Sequence, residues 1–210
     1  MTFRFTRGVV IKIEKKPSDK VTGDKKRQVR SDAKRNSDAL LQAALQVFSS
    51  SGVDAPIREI AVKAGVGVGT FYRHFPKRSD LIVAVFRKQV DNCANDASVF
   101  AANYAPGEAL GRWMQRYADF IMAKRGLAAA LYSGDQAYCN LPIYFDKQLK
   151  PALQILLDEA VKMGEARSGI EPDDLLRAVA NLCMSAQDDR IEYSRRMVSL
   201  LVDGVRYIDN

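Results

Sequence analysis

The sequence predicts an all-α fold. Apolar residues recur at helical spacing from Asn36 almost to the last residue, no segment of that span alternates with the period of a half-buried strand, and glycine or proline marks most of the breaks. One short run, Gly8 to Ile13, has strand composition but no second strand to pair with. At 210 residues and 47% hydrophobic content, the chain can bury a substantial core.

Residues 1–33 hold ten Lys/Arg, four Asp/Glu and few apolar side chains after Ile13. Such a stretch buries too little surface to offset its ordering entropy, so most of it is expected to be a disordered basic arm or an overlong start. From Asn36 the pattern turns helical. Leu40, Leu41, Ala44, Leu45 and Phe48 line one side, Asn36 or Ser37 can cap the start, and Gly52 closes the helix. Pro56 suits the first turn of a second helix, where its missing N–H costs nothing. Ile57, Ile60 and Ala61 give that helix its apolar face, Gly65 stops it and Val66 plugs the corner. A third helix is predicted over Val68 to His74, with Phe71 and Phe75 facing inward, and a longer one follows Pro76 through Leu81, Ile82, Val85, Phe86 and Val90.

Pro106 and Gly107 mark the next break, after which Leu110, Trp113, Met114, Tyr117, Phe120 and Ile121 trace a broad apolar face. A short helix is expected at Leu127–Tyr132, then a segment from Ile143 towards Arg167 that Pro151 should kink or split. Pro172, Asp173 and Asp174 open a helix with acids at its positive end, running towards Asp188. The last, from Arg190 towards Ile208, carries Met197, Leu200, Leu201 and Val205 on one side.

The net charge of +7 is unevenly placed. Residues 1–90 carry 19 Lys/Arg against 8 Asp/Glu, whereas residues 91–210 carry 13 against 17. A basic front and a mildly acidic back favour a polyanionic partner at one end only. Three widely spaced cysteines suit a reducing cytoplasm and exclude a paired-cysteine zinc site. No apolar run is long enough to span a membrane, and the start lacks the features of a signal peptide. Asp135 and Asp146 stand far from His74, the only histidine, and no nucleophile elbow or glycine-rich phosphate loop occurs. The expectation is therefore a cytoplasmic protein that is not an enzyme, with no cofactor and no metal.

Gly65 to Phe75, reading GVGVGTFYRHF, is the most informative stretch. A glycine-punctuated corner joins two short helices, the second carrying Thr, Tyr, Arg and His within two turns. That is what a helix-turn-helix DNA reader needs: one helix braces on the backbone and the next enters the major groove. The domain limits that follow are an arm at 1–33, a DNA-binding domain at 34–95 with its motif near 57–76, and a helical domain at 96–210.

Ala43 to Phe48, Gly52, and then IREIAVKAGVGVGTFYRHFPKRSDL from Ile57 to Leu81 resemble the TetR (tetracycline repressor) family of bacterial transcriptional regulators. Pro172 to Leu175 and Leu201 to Arg206 resemble the last two helices of many members. The resemblance implies an N-terminal helix-turn-helix domain and a C-terminal effector-binding and dimerisation domain. It also implies a homodimer through the last two helices (about 172–208), double-stranded operator DNA, and a small-molecule effector that releases a repressor.

Carried over to this chain, Val68 and Gly69 stand at the tip of the recognition helix. Gly69 lets the backbone approach DNA closely. Val68, where many relatives have lysine, cannot donate to guanine but can pack on a thymine methyl; its other role is to pack inside. Thr70, Tyr72 and His74 are expected at phosphates, with a local backbone bond as the alternative for His74. Arg73 reaches a base or a phosphate, or is simply solvated. Lys77 meets phosphate at a helix start that lacks a standard cap. Arg58 contacts phosphate or forms an exposed ion pair with Glu59 or Asp54. Lys25, Lys26, Arg27, Arg30, Lys34 and Arg35 lie along the DNA or in solvent. Trp113, Tyr117, Phe120, Tyr132, Tyr138, Phe145, Cys183 and Met184 line an effector cavity or are plain core.

Overall fold

The computed structural model describes residues 20–123, 133–184 and 191–206, with side chains from residue 33 onward. Among these residues the regular structure is entirely helical. The elements are α1 (Lys20–Ser51), α2 (Ile57–Lys63), α3 (Val68–His74), α4 (Arg78–Asn103), α5 (Pro106–Ala123), a 3₁₀ turn (Gln136–Tyr138), α6 (Leu141–Lys162), α7 (Pro172–Met184) and α8 (Ile191–Arg206). No helix among the described residues is long and apolar enough to cross a membrane.

The first correction concerns the expected arm. Residues 20–33 are the beginning of α1, which starts at Lys20 and not near Asn36. Lys, Arg and Gln lose little side-chain freedom in a helix, and adding turns to an established one gains a backbone hydrogen bond per residue. The established part is the half that packs, where Leu40, Ala43, Ala44, Val47 and Phe48 are buried. The expected cap at Asn36 or Ser37 is therefore not a helix end. Gly52 does close α1, at φ +78° and with its N–H on the Phe48 carbonyl at 3.2 Å. Pro56 precedes the first turn of α2 as its N-cap, one position earlier than expected.

The corner between α2 and α3 is built by Gly65, whose φ of +69° a side chain would disfavour. Its N–H donates to the Val62 carbonyl at 3.0 Å, and the Val66 N–H reaches back to Ala61 at 3.0 Å. This pair satisfies the last carbonyls of α2 while turning the chain. α3 is then anchored by Phe71 and Phe75, both buried, with ring centroids 6.0 Å apart.

α4 is unbroken from Arg78 to Asn103, so the expected domain limit at residue 95 falls inside a single helix. It packs against α1 at the head and against α5 and α6 in the C-terminal half. α5 is the central helix, touching α4, α6, α7 and α8. Its buried polar tips are all placed. The Trp113 indole N–H donates to the Cys93 carbonyl at 2.8 Å, and the Tyr117 hydroxyl to the Leu176 carbonyl at 3.3 Å. Arg116 pairs with Asp96 of α4 at 2.7 Å, and Arg195 of α8 with Asp119 at 3.0 Å. At Gly107 a Cβ would lie 2.8 Å from a Glu165 carboxylate oxygen that accepts the Gly107 N–H, so a larger residue there would displace that carboxylate.

Pro151 does not split its segment: α6 runs through it from Leu141 to Lys162. The residue is exposed, so the carbonyl it leaves without an amide partner is near water. α6 ends sooner than the expected Arg167. α7 begins at Pro172 as predicted, and Asp173 in its first turn holds Lys150 of α6 at 2.6 Å and Arg177 at 2.8 Å. The predicted short helix at Leu127–Tyr132 lies outside the described residues.

Replacing Gly65 with alanine should destabilise the fold by about 1–2 kcal/mol, the cost of a left-handed backbone with a Cβ. Urea unfolding followed by circular dichroism measures it, and an unchanged midpoint would contradict the corner geometry.

Candidate nucleic-acid interface

Helical spacing divides α3 into two sides. Phe71 faces inward with Phe75 just beyond the helix end, whereas Val68 with Tyr72 and Gly69 with Arg73, each pair one turn apart, face outward. Val68 is 39% exposed and Tyr72 51%, which excludes the inward-packed alternative for Val68. The Tyr72 ring stands edge-on to Phe71 at 5.4 Å, so a buried neighbour steadies an exposed ring. Gly69 has open space where a Cβ would be.

The remaining residues fall into place around this face. Thr70 and His74 are half-buried on the flanks. The His74 ring lies beside Phe75, 6.3 Å between centroids, and it forms no hydrogen bond among the described residues, so the local backbone bond is not its role here. Arg73 is exposed, and its Nε donates to the Gly69 carbonyl at 3.3 Å, which lays the guanidinium stem along the helix. Arg58 is exposed and forms no ion pair with Glu59 or Asp54; Glu59 instead accepts the Ser51 hydroxyl at 3.4 Å. Lys77, also exposed, is the N-cap of α4. A lysine side chain has no acceptor to offer, so the start is served only by its other half: the Lys77 N–H donates to the Asp80 carboxylate at 2.9 Å. Lys34 and Arg35 are exposed on α1.

Two residues of this region escaped the sequence reading. Gly67 is the N-cap of α3 and supplies no side-chain bond, so α3 starts without the usual cap. Arg78 reaches back from α4 to the loop between α1 and α2, donating to the carbonyls of Val53 and Ala55.

A family model described as "Bacterial regulatory proteins, tetR family" matches residues 40–85, and one described as "Transcriptional regulator SbtR-like, C-terminal domain" matches residues 105–207. The structure is similar to that of the TetR transcriptional regulator SCO0520 from Streptomyces coelicolor, with 36% identity, a TM-score of 0.72, and coverage of 82% of this chain and 99% of that one. The chain belongs to the TetR family. A TetR transcription regulatory protein from Mycobacterium vanbaalenii is 32% identical, with a TM-score of 0.67 over 85% of this chain and 99% of that one. An HTH-type transcriptional regulator of Staphylococcus aureus (strain USA300) is 38% identical over 64 residues, which are 30% of this chain and 35% of that protein. The chain thus matches about a third of that curated relative.

In this TetR protein the expected cavity residues separate into three groups. Trp113, Tyr117 and Phe120 of α5 form a buried column against which the half-buried Phe145 of α6 packs. Successive centroids on α5 are 5.7 and 6.2 Å apart, and Phe145 lies 6.1 Å from both Tyr117 and Phe120. Cys183 is buried too, and burial, reinforced by electrostatic repulsion from Cys93, Cys183 and Asp146, pushes the Tyr117 phenol far above its ordinary pKa. Met184 is corrected: it is 51% exposed, being one residue past Cys183 and so turned outward on α7. Tyr138 is buried on the 3₁₀ turn against α4. Tyr132 lies outside the described residues. A groove of about 540 Å³ opens elsewhere, between α5 and α8, lined by charged residues such as Arg112, Asp119 and Asp203.

Burial pushes the Cys93 thiol up to about 12, so it stays protonated and unreactive at neutral pH. Iodoacetamide should therefore label the exposed Cys139 and spare Cys93 and Cys183 until the protein unfolds. Peptide mass spectrometry reads the sites, and native labelling of Cys93 would show that this packing is wrong.

Proposed function

We propose that the chain is a dimeric transcriptional repressor that binds operator DNA through α3 and is released by a small-molecule effector. One observation carries the reading: an α3 whose inner rings are fully packed leaves Val68, Gly69, Tyr72 and Arg73 on an open face. Val68 and Gly69 at its tip meet base edges, the valine by apolar contact with a thymine methyl. Thr70, Tyr72, Arg73 and His74 serve phosphates from the second turn, with Lys77 and Arg58 from adjoining elements. Two such heads on a dimer read half-sites about 34 Å apart, or multiples of that distance. Binding rather than catalysis is the activity, as befits a family of DNA-binding regulators.

The dimer surface we assign to α7 and α8. Met184, Ile191, Tyr193 and Leu200 (61% exposed) are large apolar groups left uncovered there. Packing the two helices against those of a second copy makes a four-helix interface. Substituting Leu200→Asp places a charge in it and should convert the protein to a monomer by sedimentation velocity. A dimer that persists unchanged would move the interface elsewhere.

The effector enters the region of the aromatic column between α4, α5, α6 and α7, where a flat apolar molecule can take the place of ring-to-ring contacts. Its binding favours a conformer with wrongly spaced heads; a coupling of about 1–3 kcal/mol lowers operator affinity some 5–150-fold.

Selection from a random duplex library should recover a symmetric site preferred about 10³-fold or more over random DNA. On that duplex Tyr72→Ala should weaken binding severely while helix content and oligomeric state stay unchanged. Equal affinity of Tyr72→Ala and the parent protein would refute the assignment of α3.

A further inference from the structure

Arg78 is the first residue of α4, a position where a cation faces the positive end of the helix dipole. The loop between α1 and α2 compensates it. The guanidinium donates one N–H to the carbonyl of Val53 and another, at 2.8 Å, to that of Ala55. Both residues are buried, and the planar guanidinium offers its N–H groups to the two carbonyls in a fixed geometry that a rotating ammonium lacks. This loop runs directly into Pro56 and α2, and α2 carries α3 through the Gly65 corner.

The C-terminal domain packs on the same helix, α4. The 3₁₀ turn packs on α4 and buries Tyr138 there. Burial and Asp135 raise the pKa of this phenol, against an opposing effect of the Arg78 charge. The turn is itself braced, because the Asp135 carboxylate accepts the Ala137 N–H at 2.9 Å, and it leads straight into α6.

We propose that Arg78 is the positioning residue that locks the recognition helix to α4 and, through the 3₁₀ turn that buries Tyr138 on α4, to the C-terminal domain. This rests on the DNA-reading function proposed above. The link between Phe75 and Arg78 is only two residues long and exposed, and by itself it would absorb a shift of α4. Two hydrogen bonds from a rigid fork pass that shift to the α1–α2 loop instead. The separation of the two heads in a dimer then follows the first turn of α4.

The test uses the duplex selected on the parent protein and two versions with half-sites one base pair closer or further apart. Arg78→Met should keep dimerisation and affinity for an isolated half-site, yet lose at least fivefold of its discrimination between spacings, the low end of ordinary coupling at about 5–150-fold. Arg78→Lys, which keeps the charge and donors but not the fixed fork, should fall between. Tyr138→Ala should reduce discrimination less, and adding it to Arg78→Met should reduce it no further. A parent-like spacing profile in Arg78→Met overturns the proposal, as does strict additivity with Tyr138→Ala for the second half of it. If Arg78→Met fails to fold while Arg78→Lys keeps the parent profile, Arg78 only supports the fold and the proposal also fails. If the parent protein selects no duplex at all, the DNA-reading function itself is wrong, a different outcome from any of these.

Discussion

A helix of seven residues does not persist in water by itself, because the cost of ordering its first turn is never recovered over so short a length. α3 is weaker still, with Gly67 as a cap that supplies no side-chain bond and Gly69 inside its first turn. Its shape therefore rests on the burial of Phe71 and Phe75 in the same core as Phe48, Ile60 and Leu81. Removing a packed ring of that size typically costs about 3–5 kcal/mol, more than so short a helix can supply. Every outward position inherits its geometry from those two inward ones. Glycines at the tip are tolerable only because the rings hold the backbone, and in return they leave it uncovered where a duplex would approach.

What was legible in the sequence was what local rules determine. Gly65 announced its corner because few residues tolerate a positive φ, and two phenylalanines four apart identified the inner side of α3. The first turns of α1 were missed because composition measures apolar area, and a polar helix continued from a packed one needs none. Pro151 misled for a related reason, since an exposed proline in a long helix leaves its orphaned carbonyl to water. Arg78 was invisible: its partners lie 25 and 23 residues earlier, and sequence spacing shows no link between them. The aromatic residues of the C-terminal half were found by helical period, but period does not tell a core from a cavity. Nor did it show that Tyr138 leaves the column for the start of α4 while Met184 turns outward.

The column and α4 are one mechanical unit. The Trp113 indole is hydrogen-bonded to the backbone of α4 at Cys93, and Phe86 of α4 lies 6.2 Å from the Phe120 ring. Arg116 adds an ion pair to Asp96 further along the same helix. Close-packed rings do not compress; they hold one arrangement or exchange it for another. A molecule that separated these rings would have to displace α4 or break the bonds that join α5 to it. Since α4 has no break between Arg78 and Asn103, displacement at its middle also moves its first turn. At that turn the structure provides two hydrogen bonds to the reading head, so no separate hinge is needed. Under the proposed function, the stiffness of the helix and the grip of Arg78 on two carbonyls of that loop are what would convert a change of packing into a change of spacing.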